Sequence, residues 1–231
     1  GGGGGGSAPS SEPDIAEQVL ASNPLLEAMG NARTLRNDNS SRFGKFVQAH
    51  FSRHGAIVGG AVRTYLLEKS RVVAQGAGER NYHIFYQLLA GASDATKARL
   101  HLAGRAPESF SSLARSGQTT IPGVSDAEEY GVLSAAMETL GIAGREEGGG
   151  LEGGSMQEQV FKVVAAILHI GDVHFADAEG DGVSLGGDDN ARALGAVASL
   201  LQIEESSLVQ SLTTQLQTIA QRKAVIRTRS N

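Results

Sequence analysis

The sequence predicts a mixed α/β fold in which a short β-hairpin region precedes a mostly helical body. Residues 43–51 and 56–67 mix apolar and polar positions in a strand-like way, and a turn separates them. From Glu79 onward, apolar residues recur at helical spacing, and capping boxes mark two helix starts. With 40% hydrophobic residues in a chain of 231, a packed core is expected.

The N-terminal part of the chain predicts a disordered tract, two helices and a loop. Residues 1–14 are rich in Gly, Ser and Pro, which is typical of a flexible segment. Apolar spacing indicates a helix over residues 15–22. Asn23 followed by Pro24 is expected to start a second helix, with the asparagine as N-cap. Residues 31–42 are polar and lack either periodicity, so a loop is predicted there.

The strand region follows this loop. Residues 43–51 and 56–67 are predicted to pair, and adjacent Gly59 and Gly60 indicate a bulge or a close backbone approach. Residues 71–75 are apolar enough to suggest a third strand.

The first helix of the helical body is predicted soon after Glu79. Its apolar side chains fall on one face and Gly91 is expected to end it. The residues of that face are Tyr82, Phe85, Tyr86 and Leu89.

Two capping boxes predict the next helices. Ser125 with Glu128 opens one helix, and Ser155 with Glu158 opens the other. The side chains expected to face inward are Tyr130, Leu133, Met137, Leu140, Val160, Val163, Val164, Ile167 and Leu168.

The C-terminal part is also predicted to be helical. A Gly/Glu linker occupies residues 144–154. A helix over residues 188–201 is expected to be capped by its first two aspartates, and another starts at Glu204. The basic segment 219–231 carries no periodic pattern, so we expect a flexible end.

Composition excludes several classes of function. The 20 basic and 25 acidic residues give a net charge of −5, which argues against general nucleic-acid binding. The chain has no cysteine, so disulfides and thiolate metal sites are excluded. No apolar run approaches the ~18–20 residues that span a bilayer, and the N-terminal tract lacks the features of a secretory signal.

The densest polar cluster lies in the loop before the predicted hairpin. Ser40 and Ser41 offer adjacent hydroxyls that can reach a phosphate and a metal. Asn37 and Asn39 supply amide donors, and Arg42 supplies a fork that fits a phosphate or a carboxylate. The alternative interpretation from these residues alone is a solvated loop with Asx turns.

Several longer motifs surround this cluster in a fixed order. They are NPLLEAMGNARTLRNDNSSRFGKF, TYLLEKSRVV, GERNYHIFYQLL, IPGVSDAEEY and VFKVVAAILHIGDVHF. Together they resemble the motor domain of myosins, over about residues 15 to 215. The resemblance implies a partial P-loop NTPase-type motor domain over 15–218. Its expected parts are switch I (31–45), transducer strands (43–75) and a helical upper 50-kilodalton region (79–218).

The resemblance also implies roles for the polar cluster. Asn37 and Ser40 match residues beside the nucleotide phosphates, and Asn39 matches a residue that shapes the same loop. Ser41 matches the serine whose hydroxyl ligates Mg²⁺. Arg42 matches an arginine that pairs with a switch II glutamate, so Ser40 and Arg42 are the expected catalytic residues.

Two elements of the family's nucleotide site have no match in this sequence. The phosphate-binding loop GxxxxGK[ST] is expected before residue 15, and switch II is expected beyond residue 231. The carboxylate partner of Arg42 would then lie outside the chain, and we expect weak or no nucleotide binding by the chain alone. ATP hydrolysis is therefore implied for the family, while activity of this chain alone stays open.

The function implied by the resemblance is that of a fragment of an actin-based, ATP-hydrolysing cytoskeletal motor. ATP with Mg²⁺ is the expected cofactor, and the actin filament is the expected partner. Light chains would bind only through other parts of the motor, and the expected location is the cytoplasm, with the cytoskeleton. The alternative is a truncated or degenerate myosin-derived chain without ATPase activity, acting at most as an interaction module.

The other polar groups of the sequence give weaker evidence for a functional site. The segment from Asp177 to Asp188 imitates an EF-hand loop, but it has the wrong residues at the third and twelfth positions. All six histidines are expected to be structural. Glu68, Lys69 and Arg71 are interpreted as a solvated strand end, within the segment that the resemblance assigns to the transducer.

Overall fold

The protein is described by a computed structural model that covers most of the chain. The predicted N-terminal tract 1–14 and the linker 144–154 lie outside the described residues, so those two predictions stay untested. No helix in the described residues is long and apolar enough to cross a bilayer. The described ranges are 15–143, 155–178, 182–219 and 222–227.

Helices make up most of the described chain. They are α1 (Ile15–Gly30), α2 (His83–Gly91), α3 (Asp94–Arg99), α4 (Ser111–Ala114), α5 (Asp126–Thr139), α6 (Met156–Ile170), α7 (Asp188–Leu201) and α8 (Glu205–Thr213). Two 3₁₀ turns cover Lys69–Val72 and Pro107–Ser109.

The strands form antiparallel pairs rather than one large sheet. The four pairs in the described residues are β1 (Asn31–Ala32) with β2 (Ser40–Ser41), β3 (Gly44–Phe51) with β4 (Ile57–Tyr65), β5 (Ala176–Ala178) with β6 (Gly182–Ser184), and β7 (Thr214–Ile219) with β8 (Arg222–Arg227). The predicted mixed α/β fold, with a hairpin before a helical body, is therefore confirmed.

The centre of the helical body is α2, which packs against α1, α5 and α6. Its predicted apolar face is confirmed, since Tyr82, Phe85, Tyr86 and Leu89 are all buried. The close contact with α5 depends on Gly91, because a Cβ there would lie 2.3 Å from the Cβ of Tyr130. Burial of apolar area, rather than helix propensity, holds these short helices together.

Both capping boxes are formed as predicted. The Ser125 hydroxyl accepts from the backbone N–H of Glu128, and the Ser155 hydroxyl accepts from that of Glu158. Each contact satisfies one amide that the first helical turn leaves without a partner.

One side chain predicted to face inward on α6 does not. Val163 is 51% exposed, whereas Val164 and Leu168 are buried. The buried stripe also contains Phe161 and Ala165, and successive residues of an α-helix are about 100° apart. Val163, two residues after Phe161, therefore points away from the core.

The predicted break at Asn23 is wrong, because α1 runs unbroken from Ile15 to Gly30 with Pro24 inside it. Asn23 is not an N-cap. Its side-chain oxygen accepts from the Lys45 ammonium at 2.8 Å. A proline inside a helix typically costs ~3 kcal/mol, and here α1 packs against α5, α2 and β4, which offsets that cost.

The predicted third strand at residues 71–75 is also wrong. A 3₁₀ turn over Lys69–Val72 takes its place. Arg71 explains the difference, because its side chain is 5% exposed and forms ion pairs with Glu68 and Glu79, each at 3.0 Å. A strand would point neighbouring side chains to opposite faces and would separate Arg71 from these partners.

The β3–β4 hairpin keeps its predicted bounds to within about two residues. Its register shifts between His50 and Phe51, next to Gly59, so the predicted bulge is confirmed. The predicted close approach is also present, since a Cβ on Gly60 would lie 3.0 Å from Val19 of α1.

The C-terminal region differs from the prediction in two ways. The residue that caps α7 is Gly187, and no side chain caps the helix, so the two aspartates lie in its first turn instead. The segment 219–231, predicted as a flexible end, contains β8. Its backbone pairs with β7 from Thr214 opposite Arg227 to Ile219 opposite Arg222, which satisfies amides that a free end would leave to solvent.

The segment that imitates an EF-hand loop carries a hairpin instead. Strand β5 pairs with β6 inside it, and residues 179–181 lie outside the described ranges. An EF-hand loop needs a helix on each side and six or more oxygen ligands. The short strand pair is not compatible with that geometry.

Candidate functional site

The polar cluster lies in a loop whose two ends pair with each other as short strands. We call residues 31–45 the 31–45 loop. Strands β1 and β2 pair within it, with Asn31 opposite Ser41 and Ala32 opposite Ser40. The ladder fixes the two serines on a strand and leaves the turn between the strands facing outward.

Asn37 organises the turn of the 31–45 loop. Its carbonyl oxygen accepts from the Thr34 backbone N–H at 2.8 Å. Its side-chain oxygen accepts from the backbone N–H of Asn39 at 2.8 Å, which is an Asx turn. The turn expected under the solvated-loop interpretation is therefore present. The Asx turn uses only the side-chain oxygen of Asn37, so the exposed amide NH₂ of this residue has no partner among the described residues.

Asn39 connects the 31–45 loop to two helices. Its amide NH₂ donates to the Glu27 carboxylate of α1 at 2.9 Å. Its side-chain oxygen accepts from Asn31 at 2.9 Å and lies 3.1 Å from Nε2 of His83 on α2. Because the carboxylate can only accept, the amide orientation is fixed, and His83 must donate through Nε2.

The environment of His83 keeps its imidazole neutral. Burial in the helical body, and next the nearby Arg80, lower the pKa of His83 to about 4, although Asp38 acts in the opposite direction. The ring therefore holds one proton at neutral pH. The contact with Asn39 places that proton on Nε2.

The two serine hydroxyls of the 31–45 loop are oriented differently. Ser41 donates its proton to the backbone carbonyl of Phe43 at 3.0 Å, so its oxygen lone pairs remain available. Ser40 accepts from Nη1 of Arg42 at 3.2 Å, so its own proton remains available. Ser41 can thus bind a cation, and Ser40 can donate to an anion.

Arg42 has a carboxylate partner within the chain that the sequence did not predict, while its expected pairing with a switch II glutamate stays a prediction. Its Nε lies 2.5 Å from Oε2 of Glu68, and the Glu68 backbone N–H donates to the Arg42 carbonyl at 3.0 Å. Glu68 also binds Arg71. Burial would raise the pKa of the Glu68 carboxyl, but hydrogen bonds from Arg71 and Arg42 outweigh it and hold that pKa below its usual value.

Sequence reasoning missed three residues of this site. Glu68 was interpreted as part of a solvated strand end, whereas its side chain is 32% exposed and joins two arginines. His83 was expected to be only structural, and Glu27 was not considered. Glu68 and His83 contact the 31–45 loop across 26 and 44 residues of chain, so no local spacing could have indicated those contacts. Glu27 contacts Asn39 across 12 residues, which is also longer than a helical or strand repeat.

The described residues offer a metal few ligands. They include no group of three or more His, Cys, Asp or Glu side chains that could hold a metal ion. A hydroxyl oxygen such as that of Ser41 fits a hard cation such as Mg²⁺. Ser41 would then supply one ligand, with phosphate oxygens and water completing the shell.

Comparison with known proteins identifies the family. The family model described as "Myosin head (motor domain)" matches residues 5–231. The chain is 50% identical over 169 residues to Myosin-J heavy chain from Dictyostelium discoideum, covering 73% of this chain and 7% of that protein. It is 45% identical over 211 residues to Myosin-15 from Arabidopsis thaliana, covering 91% of this chain and 13% of that protein.

A mammalian relative is also a myosin. The chain is 46% identical over 205 residues to Unconventional myosin-Vb from Mus musculus, covering 88% of this chain and 10% of that protein. The chain thus spans about a tenth of the length of these curated relatives. The family model covers nearly the whole chain, and the chain belongs to the myosin head (motor domain) family.

Proposed function

We propose that this chain forms part of an actin-based motor that hydrolyses ATP with Mg²⁺, and that the 31–45 loop is its switch I. Membership of the myosin head family supports the motor function. The observation that carries the assignment of the loop is the complementary orientation of its two serine hydroxyls. One offers lone pairs and the other offers a proton, which suits a loop that contacts a metal and a phosphate together.

Ser41 is the proposed Mg²⁺ ligand. The Phe43 carbonyl holds the Ser41 proton, so the oxygen does not need to reorient before it meets a cation. When bound, Mg²⁺ neutralises negative charge that develops on the transferred phosphoryl group. The neighbouring Asn37 amide, exposed at the turn, is the proposed donor to phosphate oxygens.

Ser40 and Arg42 are the proposed catalytic pair. Arg42 holds the Ser40 oxygen, which leaves the hydroxyl proton to be donated to a phosphate oxygen or to an attacking water. Glu68 in turn holds Nε of Arg42. Nη2 of Arg42 has no partner among the described residues, so the guanidinium can bind a second carboxylate without first leaving Glu68.

The remaining assignments rest on family membership. We propose that residues 43–75 contribute to the transducer of a P-loop NTPase-type motor domain, and that residues 79–218 belong to its upper 50-kilodalton region. The actin filament is the proposed partner, and the cytoplasm, with the cytoskeleton, is the proposed location. These proposals follow from what myosin heads have in common, as the comparisons identify the family.

The test is a Ser41→Ala substitution in the motor head that contains this chain. Removing a single metal ligand should lower Mg²⁺-ATP turnover by about 100-fold or more, which is typical of losing one preorganised electrostatic contact. The fold should be retained, because Ser41 is exposed and its side chain makes a single hydrogen bond within the described part of the chain.

Ser206→Ala is the matched control, since this serine is exposed at the start of α8 and far along the chain from the 31–45 loop. It should leave turnover and the far-ultraviolet circular dichroism spectrum unchanged. Turnover within about twofold of wild type in Ser41→Ala would disprove the assigned role.

A further inference from the structure

Among the described residues, Asn39 joins the turn of the 31–45 loop to the helical body. Residues 34–40 form hydrogen bonds with helices only through this side chain, within the part of the chain that the structure describes. A cavity of about 330 Å³ separates the turn from α5, so side-chain packing on that side cannot hold it. The hydrogen bonds of Asn39 therefore set the position of the turn relative to the helices.

Both polar atoms of the Asn39 side chain face the helical body. Its oxygen has two lone pairs and accepts from Asn31 at 2.9 Å and from His83 at 3.1 Å. Its NH₂ group donates to the Glu27 carboxylate at 2.9 Å. The oxygen of Asn39 thus has no lone pair left for a ligand. In this respect Asn39 differs from Asn37, whose exposed amide is available.

The partners of Asn39 are held firmly on one side and loosely on the other. Asn31 and His83 are buried, and His83 lies on α2, whose residues are buried as far as Leu89. A buried donor is costly to leave without an acceptor, so these two residues favour the observed position of Asn39. Glu27 is exposed on α1, so a substitution there changes the contact without disturbing the core.

Asn39 is directly connected to two of the proposed ligand groups. Its backbone N–H donates to the side-chain oxygen of Asn37 at 2.8 Å, which orients the exposed amide of that residue. Ser40 is the next residue of the chain, and its hydroxyl is the second proposed donor to phosphate. A shift of Asn39 would therefore displace the Asn37 amide and the Ser40 hydroxyl together.

We propose that Asn39, held by His83 and Glu27, is a positioning residue that keeps the 31–45 loop ready for the phosphates of a nucleotide without contacting the nucleotide itself. This inference rests on the proposed function. A loop that is already in place loses less conformational entropy when the ligand binds. Without the contacts of Asn39, only a fraction of the molecules has the loop in place, so the apparent affinity falls while the chemical step is unchanged.

The test exchanges donor and acceptor between Asn39 and Glu27 in the motor head that contains this chain. Asn39→Asp keeps the size of the side chain and the acceptor for His83, but it repels Glu27 instead of donating to it. The Michaelis constant for Mg²⁺-ATP should rise about three- to tenfold, and kcat should stay within about twofold of wild type. Adding Glu27→Gln supplies an NH₂ donor to the new carboxylate and should restore the Michaelis constant to within about twofold.

Glu17→Gln is the matched control for this rescue. It removes the same charge from an exposed glutamate of α1, ten residues before Glu27, and should leave the Asn39→Asp defect unchanged. A second pair of variants tests the other partner. His83→Ala should raise the Michaelis constant about three- to tenfold, whereas His83→Gln keeps a donor for Asn39 and should raise it by less than about threefold.

Hydrogen exchange in the full chain without nucleotide, followed by NMR, reports the position of the loop directly. The backbone amide of Asn39 is held by Asn37, and that of Arg42 is held by the Gly30 carbonyl at 2.8 Å. Both should exchange about three- to tenfold faster in Asn39→Asp and should recover when Glu27→Gln is added. If Ser41→Ala leaves turnover unchanged, the proposed function fails, and the exchange rates still show whether Asn39 holds the loop.

Three results would overturn the positioning role of Asn39. The first is an unchanged Michaelis constant or unchanged exchange rates in Asn39→Asp. The second is equal rescue by Glu17→Gln and Glu27→Gln, which would reduce the effect to net charge. The third is a fall in kcat of more than about tenfold at an unchanged Michaelis constant, because Asn39 would then contact the reacting groups. If His83→Ala fails to fold by circular dichroism, the Asn39 and Glu27 variants still decide.

Discussion

Helix α2 and the β3–β4 hairpin are both regular and both rich in apolar residues, yet they differ greatly in solvent exposure. Every residue of α2 from His83 to Leu89 is buried. The hairpin has a backbone ladder along most of its length, but Phe46, Phe51 and Val58 are 56%, 62% and 55% exposed. Satisfied backbone hydrogen bonds are therefore not sufficient for burial, which requires neighbouring elements on each face.

The comparison shows which region of the chain contributes most to the free energy of unfolding. Among the described residues, α2 has α1, α5 and α6 around it, whereas the hairpin contacts mainly α1. Apolar burial contributes about 25 cal/mol per Å², so equal side chains in the two regions contribute unequally to the free energy of unfolding. The following substitutions test that difference.

The largest effect is expected from Leu88→Ala in α2. Leu88 is fully buried, so truncation should lower the free energy of unfolding by about 3–5 kcal/mol through lost burial and a cavity. Leu66→Ala, the same change just after β4 at a side chain that is 86% exposed, should cost less than about 0.5 kcal/mol. Urea unfolding followed by circular dichroism measures both, and similar costs would refute the comparison.

The second effect is a loss of stability in acid that originates in α2. The pKa of His83 is lowered from 6.5 to about 4 in the folded protein. Between these values the unfolded chain binds a proton that the native state does not. Stability should therefore fall by about 3 kcal/mol as the pH decreases from 6.5 to 4.

His83→Gln tests this effect, because glutamine keeps a side-chain donor for Asn39 but does not titrate. The free energy of unfolding of the variant should depend less on pH between 6.5 and 4. A weaker slope should remain, since burial also lowers the pKa of His169. If the variant and the wild type have the same pH dependence, His83 does not carry the effect.

The smallest effect is expected at Glu68, where the hairpin end meets the helical body. Glu68→Gln keeps the shape but removes the charge that faces Arg42 and the largely buried Arg71. The partial exposure of Glu68 limits the cost to about 1–2 kcal/mol. Glu138→Gln, an exposed glutamate of α5, is the control and should cost less than about 0.5 kcal/mol.

The pH dependence provides a second check on Glu68. Its folded pKa is below the usual value, so its contribution is present above about pH 4.5 and is lost as the pH falls through the lowered pKa. The stabilities of the wild type and of Glu68→Gln should therefore converge in acid. A constant difference at all pH values would mean that the charge is not responsible.

Local signals predicted the elements whose causes are local. The capping serines Ser125 and Ser155 determine where α5 and α6 begin, because each satisfies an amide only three residues away. The hairpin and its bulge beside Gly59 follow from alternation and from a residue without a side chain. The predictions that proved wrong concern segments whose conformation depends on contacts with residues far away in the sequence. Pro24 stays helical because α1 is packed, and Arg71 forms a turn because its partners are charged.

In the candidate site too, the features with local causes were predicted from the sequence and the long-range contacts were not. The motif around Ser40, Ser41 and Arg42 was recognised from the sequence, and the Asx turn at Asn37 follows from a side chain reaching two residues along the chain. The interactions that hold this loop were not recognised. Glu68 lies 26 residues from Arg42 and His83 lies 44 residues from Asn39, separations at which spacing carries no information.

The sequence by itself determined the mixed fold, most helix boundaries and the family. All of these depend on residue order over a few helical turns or on a specific motif. The tertiary structure alone decided that His83 is a neutral donor and that Glu68 pairs with Arg42. These are consequences of burial and of charges brought together by packing, which no local pattern encodes.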